Sequence, residues 1–385
     1  MKTQLKGKEL TALIQNVFSI APNDKRLAVL VDVPDKAAPD HSAWRTRRAM
    51  AAEWVRELNK TKSSLGLQSM DLIVYPNVHS NNADLPETAY TTEIPPEILN
   101  AEILQRQGKA HSFTQVLSEH QIILAPTEFS ATAPLKLAAQ KFGFRAATMP
   151  GFSQAMIPAL RLDYEKINQR VWAIKNKLDP AIGMDIRFSV AKDRIYSVHF
   201  DLRFRTAHVS SGRFPEPGTA GNLPSGECYI VPYEGEKGEP TRSEGMLPVQ
   251  FQKEIVLYRI KNNRAVDVTT QGAISKDERE KLFKEPAYGN IAEIGFGVLK
   301  DFGLKPVGEI LLDEKLGLHI AFGRSDHFGG AVGIKDFTSP DNVVHIDRIY
   351  IPEMQRRIRV VHVTLGFEDG TSFSLMQDGE YTLFT

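Results

Sequence analysis

The amino-acid sequence predicts an α/β N-terminal domain with a mainly parallel sheet, followed by a β-rich (α+β) C-terminal domain. Over the first 150 residues, short and almost continuously apolar runs alternate with amphipathic helical segments, which is typical of an open α/β layer. Beyond residue 178, apolar residues fall into strand-like runs separated by turn signals. We therefore place one domain at residues 1–178 and a second at residues 179–385.

Hydrophobic periodicity predicts the N-terminal elements in order. Helical spacing marks residues 9–19, 42–59, 98–107, 131–142 and 163–178, and buried-strand runs lie at 27–33, 71–75, 121–125 and 145–149. Residues 76–96 are polar and contain prolines, so we expect a loop there. The last helix is expected to bridge the domains. Neither GxGxxG after a strand nor GxxxxGK[ST] occurs, so no dinucleotide or P-loop nucleotide site is indicated.

The C-terminal half reads as a succession of strands. The runs lie at 196–204, 228–232, 249–260, 307–312, 319–322, 343–350, 360–367, 372–376 and 380–384. Asp369-Gly370 and Asp378-Gly379 are hairpin-turn signals between the last of them. These runs predict a curved mixed sheet or a partial barrel.

Charge and cysteine content exclude several classes of protein. Lys plus Arg and Asp plus Glu both number 47, so the chain lacks the basic excess typical of a nucleic-acid binder. The single cysteine, Cys228, allows no intrachain disulfide and no cysteine-based zinc site. We find no secretory signal pattern and no apolar run long enough to span a membrane. We therefore expect a cytoplasmic protein with neither a nucleic-acid nor a membrane partner.

Two stretches of the second half combine residue types that bind metal ions. In VVHIDRIY, His345 and Asp347 are two residues apart in an expected strand, so both side chains project from one face. An imidazole and a carboxylate converging there suit zinc, cobalt, manganese or iron. Upstream, NLPSGE places Glu227 at the end of a Pro- and Gly-rich turn before a strand, which would hold its carboxylate rigidly.

Four sequence blocks resemble those of a known enzyme family. GNLPSGE, AEIGFG, DEKLGLHIAFG and the final HID are similar, in order and spacing, to the metal-site blocks of the thermophilic metallo-aminopeptidases of the aminopeptidase T type, peptidase family M29. The blocks span residues 213–350, and AAQKFGFRAATMPG resembles the end of that family's N-terminal domain. The resemblance implies an α/β domain joined to a β-rich metal-binding catalytic domain, in a homodimer.

The resemblance also implies a set of metal ligands. By position in the blocks, they are Glu227, Glu293, His319, His345 and Asp347. Such a set would hold divalent metal ions, two of zinc, cobalt or manganese. The chain departs from the family seven residues after His319, where members carry a Tyr and this chain has Asp326. The aromatic residue before the final Asp is replaced by Ile346.

The implied function is that of an aminopeptidase-like hydrolase that removes N-terminal residues from a small peptide or amide by means of a metal-activated water. Glu227 or Glu293 would accept and return the proton, and the resemblance leaves open which of them does so. Asp326 would bind the free amine of the substrate.

Two alternatives stay open at the level of sequence. A ring-cleaving dihydroxypyridine dioxygenase would use a single non-haem iron, held by His319 or His327 with His345 and Asp347. A non-catalytic relative would keep the fold and lose turnover, and the Tyr-to-Asp326 departure is the feature that keeps this reading open.

Overall fold

The computed structural model describes residues 4–191 and 193–384, which divide into two compact units. The first comprises the chain up to Asn168 with Ser210–Ser225 and Val307–Leu312. The second comprises Gln169–Val209, Gly226–Pro306 and the residues from Asp313 onwards. The predicted domains, 1–178 and 179–385, are continuous in sequence, whereas each of these units consists of three separate segments of the chain. The position of the domain boundary stays a prediction.

Twenty strands follow one another within the described residues. They are β1 (Arg26–Val33), β2 (Ser69–Pro76), β3 (Thr88–Thr91), β4 (Lys109–Ser112), β5 (Ile122–Ala125), β6 (Arg145–Thr148), β7 (Ala181–Val190), β8 (Arg194–Asp201), β9 (His208–Ser210), β10 (Ala220–Asn222), β11 (Glu227–Ile230), β12 (Glu244–Phe251), β13 (Glu254–Lys261), β14 (Arg264–Val268), β15 (Ile291–Gly297), β16 (Leu318–Gly323), β17 (His345–Ile349), β18 (Ile358–Phe367), β19 (Ser372–Gln377) and β20 (Glu380–Tyr381).

Eight α-helices accompany these strands in the same part of the chain. They are α1 (Gly7–Phe18), α2 (Ser42–Thr61), α3 (Ala101–Gln107), α4 (Phe113–Glu119), α5 (Thr132–Phe142), α6 (Tyr164–Leu178), α7 (Ala273–Lys284) and α8 (Ile310–Asp313). Among the described residues, no helix combines the length and the apolar character needed to cross a bilayer.

The first unit is built on a seven-stranded sheet with the order β10-β6-β5-β1-β2-β3-β4. The five strands from β10 to β2 pair in parallel, and β3 and β4 add an antiparallel edge. Every residue of β1 from Leu27 to Val33 is buried, as a continuous apolar run predicts for a strand covered on both faces. The α1 helix buries its apolar positions Leu10, Leu13, Ile14, Val17 and Phe18, which follow helical spacing.

The second unit contains two further sheets. An eight-stranded sheet has the order β14-β13-β12-β8-β7-β18-β19-β20, and all its neighbours pair antiparallel. A five-stranded sheet has the order β17-β16-β15-β11-β9. Its central strand β15 is buried along its whole length. This smaller sheet carries Glu227, Glu293, His319, His345 and Asp347.

The predicted fold class is confirmed: an α/β layer with a mainly parallel sheet precedes a β-rich region. Some element predictions were wrong. The run 307–312 is not a strand, since Ile310 begins the short helix α8. The run 249–260 is two strands joined by a tight turn after Phe251. The polar residues Gln252, Lys253 and Glu254 interrupt the apolar run there, without a Gly or Pro to mark the turn. The predicted loop 76–96 contains β3. The elements that were not predicted also include β4, β7, β9, β10, β14, α4 and α7.

A buried ion pair in the first unit should be essential to its stability. Arg145 Nη2 lies 2.5 Å from Asp24 Oδ1, with both side chains about 95% buried, and its Nη1 donates to the Phe18 carbonyl at 2.6 Å. We expect Arg145→Ala to lower the free energy of unfolding by about 3–5 kcal/mol, because Asp24 would stay buried without its partner. Denaturation followed by fluorescence of the buried Trp44 and Trp54 would measure the change.

The matched control is Arg56→Ala. Arg56 pairs with Glu53 on the surface of α2, and its side chain is 70% exposed. We expect this substitution to cost less than about 1 kcal/mol. Equal effects of the two substitutions would contradict the assignment of the buried pair.

Candidate metal centre

The candidate centre lies on one face of the five-stranded sheet. Glu293, Gly295 and Gly297 follow one another at intervals of two residues on β15, so they share a face. Glu227 pairs with Gly297, and His319 pairs with Gly295. Residues that pair directly across antiparallel strands project to the same side of the sheet. β11 and β16 therefore bring their ligand candidates to the face of Glu293.

The outer strand β17 joins the same face through its pairing with β16. Ala321 pairs with Glu293 on one side and with Asp347 on the other. His345 pairs with Gly323 at the end of β16. Polar side chains thus alternate with glycine or alanine across the face, and the small residues leave the space into which the polar groups extend.

Gly295 shows how strict this requirement is. A Cβ atom at residue 295 would lie 2.0 Å from Nε2 of His319, far inside van der Waals contact. The imidazole of His319 therefore lies directly over the backbone of β15. This position lets a side chain from β16 reach towards the carboxylate on β11. The glycine at position 295 is explained by this approach.

Distances divide the five side chains into two sets that share Glu293. His319 Nε2 lies 3.3 Å from Glu293 Oε1 and 3.5 Å from Glu227 Oε2. His345 Nε2 lies 3.5 Å from Glu293 Oε2 and 3.8 Å from Asp347 Oδ1. One ligand atom each from Glu227, Glu293 and His319 falls within 4.8 Å of the others. The structure therefore brings all five sequence-predicted ligands together.

Both imidazoles are oriented by their second ring nitrogen. Nδ1 of His345 lies 2.9 Å from the carbonyl oxygen of Arg324, and Nδ1 of His319 lies 3.4 Å from that of Gly317. A carbonyl oxygen only accepts hydrogen bonds, so Nδ1 carries the proton in each ring. Nε2 consequently points to the carboxylates, which is the arrangement that metal-binding histidines adopt.

Glu227 shows an unsatisfied atom at this point of convergence. Its side chain is 6% exposed, and its Oε2 accepts no hydrogen bond from the described residues. A buried carboxylate oxygen without a donor is costly unless another cation or donor is provided. Nitrogen and carboxylate donors are those preferred by zinc and similar divalent ions. The residues present therefore fit a bound divalent ion.

Lys315, which the sequence reasoning did not single out, neutralises part of the acidic cluster. Its Nζ lies 2.5 Å from Glu227 Oε1 and also contacts Glu314, and its side chain is 3% exposed. Burial opposes the charge on Lys315, but the carboxylates of Glu227 and Glu314 outweigh it and raise the pKa of the ammonium. Its only sequence signal was its place in the DEKLG segment that precedes His319.

The pKa of Glu293 is lowered, whereas the pKa of Glu227, its neighbour on β11, is raised. Burial opposes the ionisation of Glu293, but hydrogen bonds with His319 and His345 outweigh burial and bring its pKa far below the usual range. The same contacts overcome burial of the imidazoles and raise the pKa of His319 to about 10 and that of His345 to about 9. In Glu227, burial prevails over Lys315 and His319, and the pKa is raised.

Asp326 lies in a turn next to the cluster, outside the five-stranded sheet. Its carboxylate binds Arg324, whose Nε lies 2.6 Å from Oδ1, and approaches Nδ1 of His327 at 3.4 Å. Burial and the positive charges of His345 and Arg324 lower the pKa of His327 to about 4. The His327 ring, 5.6 Å from that of His345 between centroids, is thus neutral at physiological pH.

Tyr229 is a second residue that the sequence reasoning missed. It follows Glu227 by two residues on β11 and pairs with Gly295, so it projects from the same face. Burial raises the pKa of Tyr229, and the negative charges of Glu293 and Glu227 add to this effect. The two-residue spacing that links His345 with Asp347 was also present in this case.

Comparisons with known proteins bear on the fold. No family model matches the chain, and no curated protein matches it. Among solved structures, it is similar to the 2,5-dihydroxypyridine dioxygenase from Pseudomonas putida KT2440, with a TM-score of 0.60, 15% identity and 98% of each chain covered. It is also similar to wild-type AmpT from Thermus thermophilus, with a TM-score of 0.53, 15% identity and 98% of each chain covered. The chain therefore shares its fold with a dioxygenase and with AmpT over almost its whole length.

Proposed function

We propose that this protein is a metal-dependent aminopeptidase-like hydrolase that removes N-terminal residues from small peptides or amides. The observation that carries the proposal is the position of Glu293. Its two oxygens face imidazoles from two different strands, at 3.3 Å and 3.5 Å. Each imidazole has a further carboxylate beside it, Glu227 or Asp347. Two three-residue sets that share one carboxylate are what a pair of divalent ions requires.

The two glutamates support different roles in such a reaction. Divalent ions bound here would lower the pKa of a coordinated water and polarise the substrate carbonyl. Glu293 stays ionised and holds both imidazoles in place. Glu227 Oε2 accepts no hydrogen bond from the described residues. As a member of the ligand set, Glu227 would bind an ion through this oxygen, and it would take the proton from the water and return it to the leaving amine only where the other ligands hold the ions. Lys315 fixes the other oxygen of Glu227.

The remaining features of the proposal extend the sequence predictions. Asp326 is the proposed partner of the substrate amine, and its ion pair with Arg324 would have to loosen for that contact. A cytoplasmic location, a homodimer, and the absence of nucleic-acid and membrane partners stay predictions. Zinc, cobalt and manganese stay equivalent candidates, since nitrogen and oxygen ligands suit all three.

One observation favours a second candidate, a dihydroxypyridine-type ring-cleaving dioxygenase. His345 and Asp347 lie together with His319, and the neutral His327 is adjacent to His345. Two imidazoles and one carboxylate can hold a single ferrous ion with open positions. The two buried glutamates count against this reading, because such a site has no use for two carboxylates beyond that of Asp347.

Metal analysis together with activity assays distinguishes a hydrolase from a dioxygenase and from a non-catalytic protein. We expect about two zinc, cobalt or manganese ions per chain and release of the chromogenic group from aminoacyl anilides. Glu293→Gln should reduce the metal content by at least half and abolish turnover, because a neutral amide cannot be shared between two cations. The control is Glu280→Gln, an exposed glutamate on α7, which should change neither quantity.

Other outcomes would overturn the proposal in different ways. One iron per chain, with oxygen uptake in the presence of a dihydroxylated pyridine, would favour the dioxygenase. No metal in the purified wild type, together with no loss of any property in Glu293→Gln, would favour a non-catalytic protein.

Gly295→Ala should destroy the centre without removing any ligand. The added Cβ would occupy the position of His319 Nε2, 2.0 Å away, so the imidazole would have to leave the carboxylates. We expect metal affinity to fall by more than about tenfold, because the loss of even an outer-shell partner of a ligand costs about 10- to 100-fold. Competition with a chelator would measure the change. Gly366→Ala is the control, since its Cβ would meet no atom closer than 4.0 Å. Equal affinities in both variants would contradict the geometry.

Metal affinity should rise with pH. In the metal-free protein the pKa of His345 is about 9 and that of His319 about 10, so at lower pH both rings carry protons that an ion must displace. As the pH approaches these values, fewer protons compete, and the apparent affinity increases. Calorimetry in buffers of different ionisation enthalpy would measure the protons released. Binding without proton release at neutral pH would contradict this expectation.

A further inference from the structure

Aromatic rings surround the part of the centre that solvent can reach. They belong to His208, Tyr229, His327, Phe328 and His345, which we call the ring cluster. Glu227, Glu293 and His319 are buried, whereas every member of the ring cluster is partly or fully exposed. Among the five ligand candidates the side chain of His345 is the most exposed, at 21%, and it belongs to the ring cluster. Aromatic surfaces therefore lie on the side of the centre that solvent can reach.

The rings of the cluster form a continuous series. His208 stacks on Tyr229 with a centroid distance of 5.2 Å, and Tyr229 meets the edge of Phe328 at 5.2 Å. Phe328 in turn lies 5.1 Å from His345 and 3.9 Å from His327. The distances of the other three pairs are those of favourable aromatic pairs, about 4.5–7 Å, and the His327–Phe328 pair is closer. Phe328 is thus the central member, in contact with three other rings.

The turn that carries Phe328 is fixed by a buried glutamate, Glu234, whose side chain is 5% exposed. Its carboxylate accepts hydrogen bonds from Ser325 Oγ at 2.6 Å, from Asn290 Nδ2 at 2.8 Å and from the Ala331 amide. These contacts anchor both ends of the turn. The ring of Phe328 is consequently held in place before any ligand arrives, which lowers the entropy cost of binding.

We infer that the ring cluster is a recognition surface for a planar aromatic group of the substrate, with Phe328 as its specificity-determining residue. This inference rests on the proposed metal centre, since the aromatic group would lie next to the bound ions. Two substrate sources share this chemistry. One is a peptide or amide with an aromatic N-terminal side chain, and the other is a dihydroxylated heteroaromatic ring.

The test compares two probes that differ only in the ring. L-Phenylalanine hydroxamate and L-cyclohexylalanine hydroxamate share a metal-binding group and a similar apolar volume, but only the first has a planar π system. With the full-length metal-loaded protein, we expect the phenyl probe to bind about two- to tenfold more tightly, the range that an aromatic pair contributes. A parallel titration with 2,5-dihydroxypyridine distinguishes the second source, because only a centre that accepts this ring directly would bind it with comparable affinity.

Two variants locate the effect. Phe328→Leu should remove the preference for the phenyl probe while metal content stays unchanged, since Phe328 is not a ligand. Phe283→Leu is the control, because Phe283 is 87% exposed on α7, and it should keep the preference. If Phe328→Leu does not fold, the comparison of the two probes in the wild type still decides whether the protein prefers a planar ring.

The outcomes separate this inference from the function on which it rests. Equal affinities for the two hydroxamates in the wild type, with metal bound, would overturn aromatic recognition and leave the metal centre intact. Aromatic recognition by Phe328 would also be overturned if Phe328→Leu and Phe283→Leu kept equal preferences. Absence of both metal and hydroxamate binding would overturn the proposed function and the inference with it.

Discussion

The close approach of His319 to Gly295 is the constraint on which the candidate centre depends. The imidazole lies where the side chain of any other residue at 295 would have to be. Because β15 lies between β11 and β16, a larger residue there would separate the carboxylate of Glu227 from the imidazole of His319. The site therefore depends on two features of β15, the absence of a side chain at Gly295 and the carboxylate of Glu293.

The second requirement is electrostatic. Four carboxylates, from Glu227, Glu293, Glu314 and Asp347, lie within one small region with Lys315 and two imidazoles. Burying this much negative charge is unfavourable without compensating cations. Lys315 compensates on the side of Glu227 and Glu314, whereas the imidazoles face Glu293. This asymmetry moves the pKa values of the two central glutamates in opposite directions. Two carboxyl groups whose surroundings separate their pKa values in this way can take different chemical roles.

The fold class could be predicted from the sequence because local signals are strong in the first unit. The continuous apolar run of β1 and the αL glycine after α5, Gly143, were both readable as patterns. Elements whose position depends on a partner far away in the sequence could not be predicted. The strand β10, for example, is set by its pairing with β6 across more than seventy residues. Short strands of three residues have no periodicity of their own to detect.

The same division applies to the candidate site. His345 with Asp347 could be expected from two-residue spacing, and the other three ligand candidates came from the family resemblance. Their convergence on one face depends on strand register, which no local pattern specifies. Lys315 was missed because a lysine beside a glutamate usually indicates a solvated surface, and only burial reveals its role.

The turn at residues 324–332 shows why the residue at one position does not by itself determine which groups a site contains. Asp326 stands where the resemblance leads one to expect a tyrosine, and its carboxylate is paired with Arg324. Yet Phe328, two residues later, directs an aromatic ring towards His345. A phenol also stands on the face of the centre, at Tyr229, supplied by β11. The chemistry of a site is set by the groups that converge in space, so an aromatic ring and a hydroxyl lost from one position can be contributed by two other elements of the fold.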